Sequence, residues 1–406
     1  MNIIFIEPSF PYNQREFVRG LAAAGANVIG IGERPPEYLN DDVKGWLSHY
    51  VQVPSVVHEP SLLKAVRSIQ KSVWVDRLEA TVEAHIMAAA AVREACGIPG
   101  TSTETAYLCR DKPAMKEALR KAGIPCAQST RATTPDEARQ FAATVGYPLI
   151  IKPPAGAGAS ATFRVDNDAE MENVIKQSGL QQGVAVAIEE FIEGHEGFLD
   201  TLAVNGEVGH EFITHYYPNV LEAMRERWIS PQMVVTNRMD APGYDEVKIM
   251  ARKVIKALNI GTSATHMEWF YGPKGLKFSE IGCRPPGVGQ WDVYNAGNDF
   301  DIYFEWAHTL VHGCTHSQPS RRYAAGMIAL RPEGDGRISG YSGVNQIGRK
   351  YGNCIVAAHL PQEGTPTQPI EGGYMANAWM RVRHPDYDTL RSIMDEIGTT
   401  IRVHAN

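Results

Sequence analysis

The 406-residue sequence has six cysteines (Cys96, Cys109, Cys126, Cys283, Cys314 and Cys354), and no two of them form a C-x-x-C pair. That argues against a zinc knuckle or a redox dithiol, and scattered single thiols fit a reducing compartment. No stretch approaches the roughly 18 apolar residues that a membrane span needs. The first residues, MNIIFIEP, lack a basic n-region and have only a short apolar run, so no secretory leader is expected and the expected location is cytoplasmic. A basic surplus is missing too. The formal net charge of -7 argues against a nucleic-acid binder, although a net charge does not locate charge. There is no internal repeat and no low-complexity tail. What remains, 44% hydrophobic and 21% charged residues, is ordinary globular composition. The length predicts two or three domains.

Asn2 to Glu7 reads as a buried strand, Gln14 to Ala24 as a helix, and Asn27 to Gly32 as a second apolar strand. Strand, helix, strand at this spacing predicts a βαβ unit on a parallel sheet, and the alternation continues to Gly97-Ile-Pro-Gly100. Residues 1–110 are therefore expected to form a small α/β domain. A second unit, 111–190, opens with the helix DKPAMKEALRKAG, with Pro113 in its first turn and Gly123 as its stop. Thr134-Pro-Asp-Glu137 is a capping box, and the strands YPLIIKP and ATFRV flank a glycine loop. Residues 191–406 then supply several longer strands, a helix from Asp245 to Leu258, another from Ile302 to His312, and a last helix from Pro385 to Glu396.

The loop Ala155-Gly-Ala-Gly-Ala-Ser160 follows a strand but lacks the GK[ST] ending of a Walker A motif. It leads into another strand rather than a helix, which argues against a dinucleotide fingerprint. A glycine loop between strands suits a flap that offers backbone N–H groups to a triphosphate, with Gly156, Gly158 and Ser160 as contacts. A plain hairpin turn is an equal account of it. Lys152, at the end of the preceding strand, and Lys112, at the start of the preceding helix, shift the balance toward phosphates. In VAIEEFIEGHE, an apolar strand runs into Glu189 and Glu190 and then Phe191-Ile192. Such an exit suits a hinge that meets an adenine edge, and Glu196, six residues on, is placed for ribose hydroxyls. A charged strand end is the plainer alternative. The sharpest feature is Glu268 in THMEWF and Glu280 in KFSEIGCRP, twelve residues apart across a Tyr-Gly-Pro-Lys-Gly turn. Antiparallel pairing sets these carboxylates side by side, which is costly without a cation, and Mg2+ takes carboxylates together with phosphate oxygens. Arg284 follows at fork-binding distance along the chain.

In this order the motifs resemble the ATP-grasp superfamily over nearly the whole chain. The resemblance implies an α/β and α+β ATP-grasp fold: a Rossmann-like N-terminal domain, a small central lid, and a larger C-terminal domain with the metal and substrate sites. It implies Lys112, Lys152 and the Gly156–Ser160 flap on the phosphates, Glu189, Glu190, Ile192 and Glu196 at the nucleotide, Glu268 and Glu280 on the metal, and Lys152, Glu280 and Arg284 as catalytic groups. The expected cofactors are ATP and Mg2+, with Mn2+ as an alternative. The implied activity is that of an ADP-forming ligase of the carboxylate–amine type, similar to the L-amino acid ligases and biotin carboxylase. It activates a carboxylate as an acyl phosphate and joins it to an amine. Small-molecule substrates and a homodimer are the expected partners, with no nucleic acid or membrane.

One departure stands out. The family often reads E-x-N-x-R at its last motif, and here Gly282 replaces the asparagine that assists a second metal. Asp292 and Asn295 are near in sequence. Gly282 supports one reading from another class, a nucleotide-binding regulatory protein without ligase activity. A hydroxyl kinase is a third, and a biotin-carboxylase-like enzyme lacks a carrier segment here. For the acceptor, Tyr216, Arg225, Arg227 and Trp228 offer aromatic and guanidinium groups, and the backbone of Gly287-Val288-Gly289 is free to approach an acyl phosphate.

Overall fold

Runs in which every residue from Ile3 to Ile6 and from Val28 to Gly32 is buried leave no polar face for solvent, the pattern of a covered parallel sheet. A computed structural model, which describes residues 1–156 and 161–406, places them so. Strands β1 (Asn2–Ile6), β2 (Asn27–Gly32), β3 (Leu47–Gln52) and β4 (Arg77–Glu79) form a parallel sheet in the order β3-β2-β1-β4. The helix Gln14–Ala23 joins the first two, and the helix Ile86–Cys96 ends at Gly97 with φ +65°.

Four short strands, β5 (Ser129–Ala132), β6 (Leu149–Lys152), β7 (Phe163–Val165) and β8 (Val186–Glu190), make an antiparallel sheet in the order β5-β8-β6-β7. The helices Pro135–Val145 and Asp168–Gln177 close over it on a core of Ala138, Leu149, Ile151, Val165, Ile175 and Ile188. The predicted capping box is formed. Thr134 accepts from the Glu137 backbone, and Glu137 accepts from the Thr134 backbone.

The largest sheet has eight antiparallel strands, among them β9 (His195–Val204), β10 (Glu207–Tyr217), β11 (Gln232–Val235), β12 (Ser263–Gly272), β13 (Gly275–Gly282) and β14 (Ala324–Leu330). With β15 (Ile338–Ser342) paired to β18 (Arg402–Ala405) in a separate ribbon, β16 (Ile355–His359) and β17 (Ala378–His384) complete the order β13-β12-β9-β10-β11-β14-β17-β16. The last helix runs Tyr387–Thr400 rather than from Pro385. Asp386 caps it by accepting from the Thr389 backbone, which leaves Pro385 outside.

The N-terminal sheet is fastened to the large one through two helices. Phe17 of the helix Gln14–Ala23 lies 5.0 Å from Trp291, 5.0 Å from Tyr303 and 5.1 Å from Trp306, centroid to centroid. Gly20 permits this approach, because a Cβ there would stand 2.5 Å from the Tyr303 carbonyl oxygen. The consequence for the site is that the turn after β4 reaches the end of β13.

Candidate functional site

Strands β12 and β13 turn back on themselves at Gly272 and Gly275, and their register pairs Glu268 directly with Glu280. His266, on the face of Glu268, is paired across the ladder with Gly282. On the other side of β12, β9 brings in Glu196, whose carboxylate accepts from the Val220 backbone at 2.6 Å. Burial, and then Glu268, push the Glu196 carboxyl up to about 8. His266 Nδ1 donates to Asp200 Oδ1 at 2.7 Å, its Nε2 lies 3.5 Å from Glu268 Oε1, and Tyr294 donates to the second Asp200 oxygen. Burial opposes protonation of His266, but Asp200 outweighs it and raises the imidazole to about 9.

Cations face this acidic group. The helix Lys112–Lys121 is capped by Asp111, which accepts from the Ala114 backbone, and it projects Lys112 and Lys116 one turn apart. Lys112 Nζ lies 3.3 Å from Glu280 Oε2 and donates to the Gly156 carbonyl at 2.8 Å. Lys152, at the end of β6, stands 3.0 Å from Glu189 Oε2 and 3.9 Å from Glu280 Oε2. Lys116 is fully buried, 2.5 Å from the same Glu189 oxygen. Burial drops the Lys116 ammonium to about 8. For Lys152 burial works the same way, but Glu189 and Glu280 overcome it and raise the group above its ordinary value. Burial would raise Glu189, yet Lys116 and Lys152 hold it at about 2. Burial likewise opposes ionisation of Glu280, and Lys112 and Lys152 lower it.

Strand alternation separates Glu189 from Glu190. Glu189 points inward to the lysines, whereas Glu190 meets Lys274 at 2.5 Å and the Gln128 backbone at 3.3 Å on the outer side. The Glu189 carboxylate is therefore engaged in the lysine cluster and not turned to the hinge. The chain leaves the sheet at Phe191, which donates to the Pro148 carbonyl, and among the described residues the Ile192 backbone has no hydrogen-bond partner. Gly156 takes φ +142° at the mouth of the glycine loop, and Gly158 and Ser160, expected as phosphate contacts, lie outside the described residues.

Arg284 is held from the N-terminal sheet. Its Nε donates to Glu83 Oε2 at 2.8 Å and its Nη1 to the Pro285 carbonyl at 2.8 Å, while Arg110 donates to the Glu83 carbonyl. Lys112, Gly156, Glu280, Arg284, His266 and Glu83 line one cavity. Neither Asp292 nor Asn295 stands in for a side chain at 282. Asp292 is bound by Arg381 at 2.7 Å and Tyr303 at 3.0 Å, and Asn295 accepts from the Ile302 backbone.

Sequence reasoning missed Lys116, His266 and Glu83. Two of these had local signals, because Lys116 follows Lys112 at i+4 and His266 precedes Glu268 at i−2 on the same strand face. Glu83 had none. Three ammonium groups beside paired carboxylates can hold a polyphosphate and a hard cation together. Glu268 and Glu280 fit Mg2+ as oxygen donors on adjacent strands. Among the described residues no three His, Cys, Asp or Glu side chains converge as a ready metal cage, and one or two carboxylates are what Mg2+ ordinarily takes beside phosphates.

The family description "ATP-grasp domain" matches residues 117–297. A curated relative, the L-arginine-specific L-amino acid ligase of Bacillus subtilis, is 28% identical over 250 residues, covering 60% of this chain and 60% of that protein's length. The crystal structure of an L-amino acid ligase from Bacillus licheniformis superposes with a TM-score of 0.77 at 17% identity, over 100% of this chain and 98% of that one. The N5-carboxyaminoimidazole synthetase of Staphylococcus aureus, complexed with ADP, gives a TM-score of 0.67 at 14% identity, over 98% and 96% of the two chains. At such identities the structures speak for the fold, which is the predicted α/β and α+β arrangement. No helix among the described residues is long and apolar enough to cross a membrane. The stretch 117–297, which carries Lys152, Glu189, Glu268, Glu280 and Arg284, is thus similar to the ATP-grasp domain, and the solved structures extend the likeness of fold over the whole chain.

Proposed function

We propose that the chain is an ADP-forming carboxylate–amine ligase that uses Mg·ATP, with an amino acid among its substrates. The observation that carries this reading is the double engagement of Glu280 by Lys112 and Lys152, opposite Glu268 and at the mouth of the glycine loop. A site with that charge pattern suits phosphates that displace lysines from carboxylates while a metal joins the carboxylates. The relative from Bacillus subtilis supports the substrate class.

In the proposed reaction a carboxylate oxygen bonds to the γ-phosphorus as the bond to the bridging oxygen breaks, giving ADP and an acyl phosphate. An amine nitrogen then bonds to the acyl carbon, the carbon–oxygen bond to phosphate breaks, and phosphate leaves while the amine gives up a proton to solvent. Lys112, Lys152 and Lys116 hold the phosphates and offset their charge. Glu268 and Glu280 would hold Mg2+, whose charge would offset that of the phosphate oxygens. Arg284, oriented by Glu83, faces the same cavity and would steady the acyl phosphate. Ile192 offers its backbone to the adenine edge, with Glu190 and Glu196 nearer the ribose. A division into 1–110, 111–190 and 191–406 matches these tasks to a flanking domain, a lid and a base.

The test is a hydroxylamine trap. Purified protein with Mg2+, ATP and single carboxylates, amino acids first, is expected to form ADP together with a hydroxamate, since only an acyl phosphate gives one. Glu280→Ala is expected to lose both products. Nucleotide binding without hydroxamate from any carboxylate would favour the binding-protein reading that Gly282 suggests.

A further inference from the structure

The helix Ile302–His312 ends in His308-Thr-Leu-Val-His312, two imidazoles one turn apart on one helix face. Their ring centres lie 4.3 Å apart. The chain turns at Gly313, where φ is +72°, and brings the His316 ring back to 5.2 Å from His308. None of the three lines the cavity at Glu280.

What fixes each ring decides what it can bind. His308 Nδ1 lies 2.9 Å from the Cys314 carbonyl oxygen. A carbonyl only accepts, so this nitrogen carries the hydrogen, and in the neutral ring Nε2 keeps a bare lone pair. His312 is set the other way round. Its Nε2 lies 3.2 Å from the Ala24 carbonyl oxygen, which leaves the lone pair on Nδ1. Neither lone pair meets a hydrogen-bond donor among the described residues. A ring nitrogen that donates to a backbone carbonyl while the other stays free is the arrangement found behind imidazole metal ligands, because the carbonyl fixes the tautomer and orients the ring. His316 is engaged differently. Its Nδ1 lies 3.7 Å from Glu305 Oε1, and its backbone donates to the other Glu305 oxygen. Among the described residues no third His, Cys, Asp or Glu side chain converges on the pair.

We infer that His308 Nε2 and His312 Nδ1 form a site for a late first-row divalent metal ion, of the class of Zn2+, Ni2+ and Cu2+, with water in its other positions. Histidines four apart on one helix face can both reach one ion. Imidazole suits these metals, whereas Mg2+ takes oxygen donors, so this site and the acidic pair select different ions from one solution. His312 also donates to Ala24, the residue that caps the helix Gln14–Ala23. A metal on Nδ1 draws charge from the ring and strengthens that donation. The bound ion therefore fastens the N-terminal unit to the large one along the helix pair that meets at Gly20.

The experiment uses the full chain without a histidine tag, stripped of metal with a chelator and dialysed. Zn2+ is titrated by calorimetry in excess Mg2+. Wild type is expected to take up one Zn2+ that Mg2+ does not displace, and to bind Cu2+ more tightly than Zn2+. Losing a group that merely orients a ligand costs about 10- to 100-fold in metal affinity, so His308→Gln and His312→Gln should each weaken Zn2+ binding by roughly tenfold or more. Cys314→Ser, which keeps the carbonyl, should bind as wild type does. Zn2+ should raise the Tm of wild type and of Cys314→Ser but not of the histidine variants, whose melts without metal report their fold. Unchanged Zn2+ affinity in both histidine variants would overturn the inference. So would loss of binding in Cys314→Ser, which would make the thiol the ligand, or displacement by Mg2+, which would put the ion at Glu268 and Glu280. Uptake by wild type only at millimolar Zn2+, an adventitious ion only, would overturn it as well.

Discussion

The Lys112 ammonium bridges the Gly156 carbonyl at 2.8 Å and Glu280 Oε2 at 3.3 Å, tying the glycine loop to the acidic pair. On the proposed reading, this lysine neutralises a carboxylate until nucleotide arrives and then exchanges that partner for phosphate. Lys112→Met should therefore raise the KM for ATP by roughly 10- to 100-fold, the value of about 1.5–3 kcal/mol for one charged hydrogen bond. Steady-state kinetics at fixed Mg2+ measure it, and an unchanged KM would remove Lys112 from the phosphate site.

Glu189 is the anion that Lys116 and Lys152 share. Glu189→Gln leaves two buried ammonium groups short of charge and should cost about 3 kcal/mol at pH 7. The pH dependence carries a sign. The folded group sits at about 2, below the unfolded carboxylate near 4.3, so its stabilisation is complete above that value and is lost as pH falls toward 2. The gap between wild type and variant in urea melts should close over this acidic window. A gap that stays constant would mean that Glu189 is not ionised in the fold.

Gly20 lets the helix Gln14–Ala23 lie against the backbone of Tyr303. Gly20→Ala, which elsewhere in a helix stabilises, should here destabilise by about 1–3 kcal/mol. A lower urea midpoint at unchanged slope checks it, and a higher midpoint would show that the helices part without cost.

Gly282 is a different kind of glycine. A Cβ there would meet Arg284 Cγ at 3.4 Å, an ordinary contact, and its backbone is not left-handed. Gly282→Asn should thus change stability by less than about 0.5 kcal/mol. It should also lower the Mg2+ concentration that half-saturates nucleotide binding, read by calorimetry at a series of Mg2+ concentrations. A higher requirement would argue that the space opposite His266 serves another purpose.

Much of the site was legible along the chain because its geometry is local. Glu268 and Glu280 needed only two strands and a tight turn, and a hairpin register follows from its turn. Lys112 needed only a helix start with Asp111 before it. The orientation of Glu189 was less accessible, since alternation says that it opposes Glu190 but not which of the two is buried. The helix Lys112–Lys121, which sets the buried Lys116 against Glu189, decides that.

Sequence alone therefore determined the order of elements, the strands on either side of the glycine loop, the capping box at Thr134 and the acidic pair. These are set by dihedral preferences, periodicity and contacts across short turns. Tertiary structure alone decided that Glu83 would orient Arg284 from 201 positions away, that Asp200 and Tyr294 would stand behind His266, and that the Arg331 guanidinium would lie over the Tyr374 ring. Such contacts join strands and loops distant in sequence, and their partners are chosen by how the sheets pack, which no local pattern records.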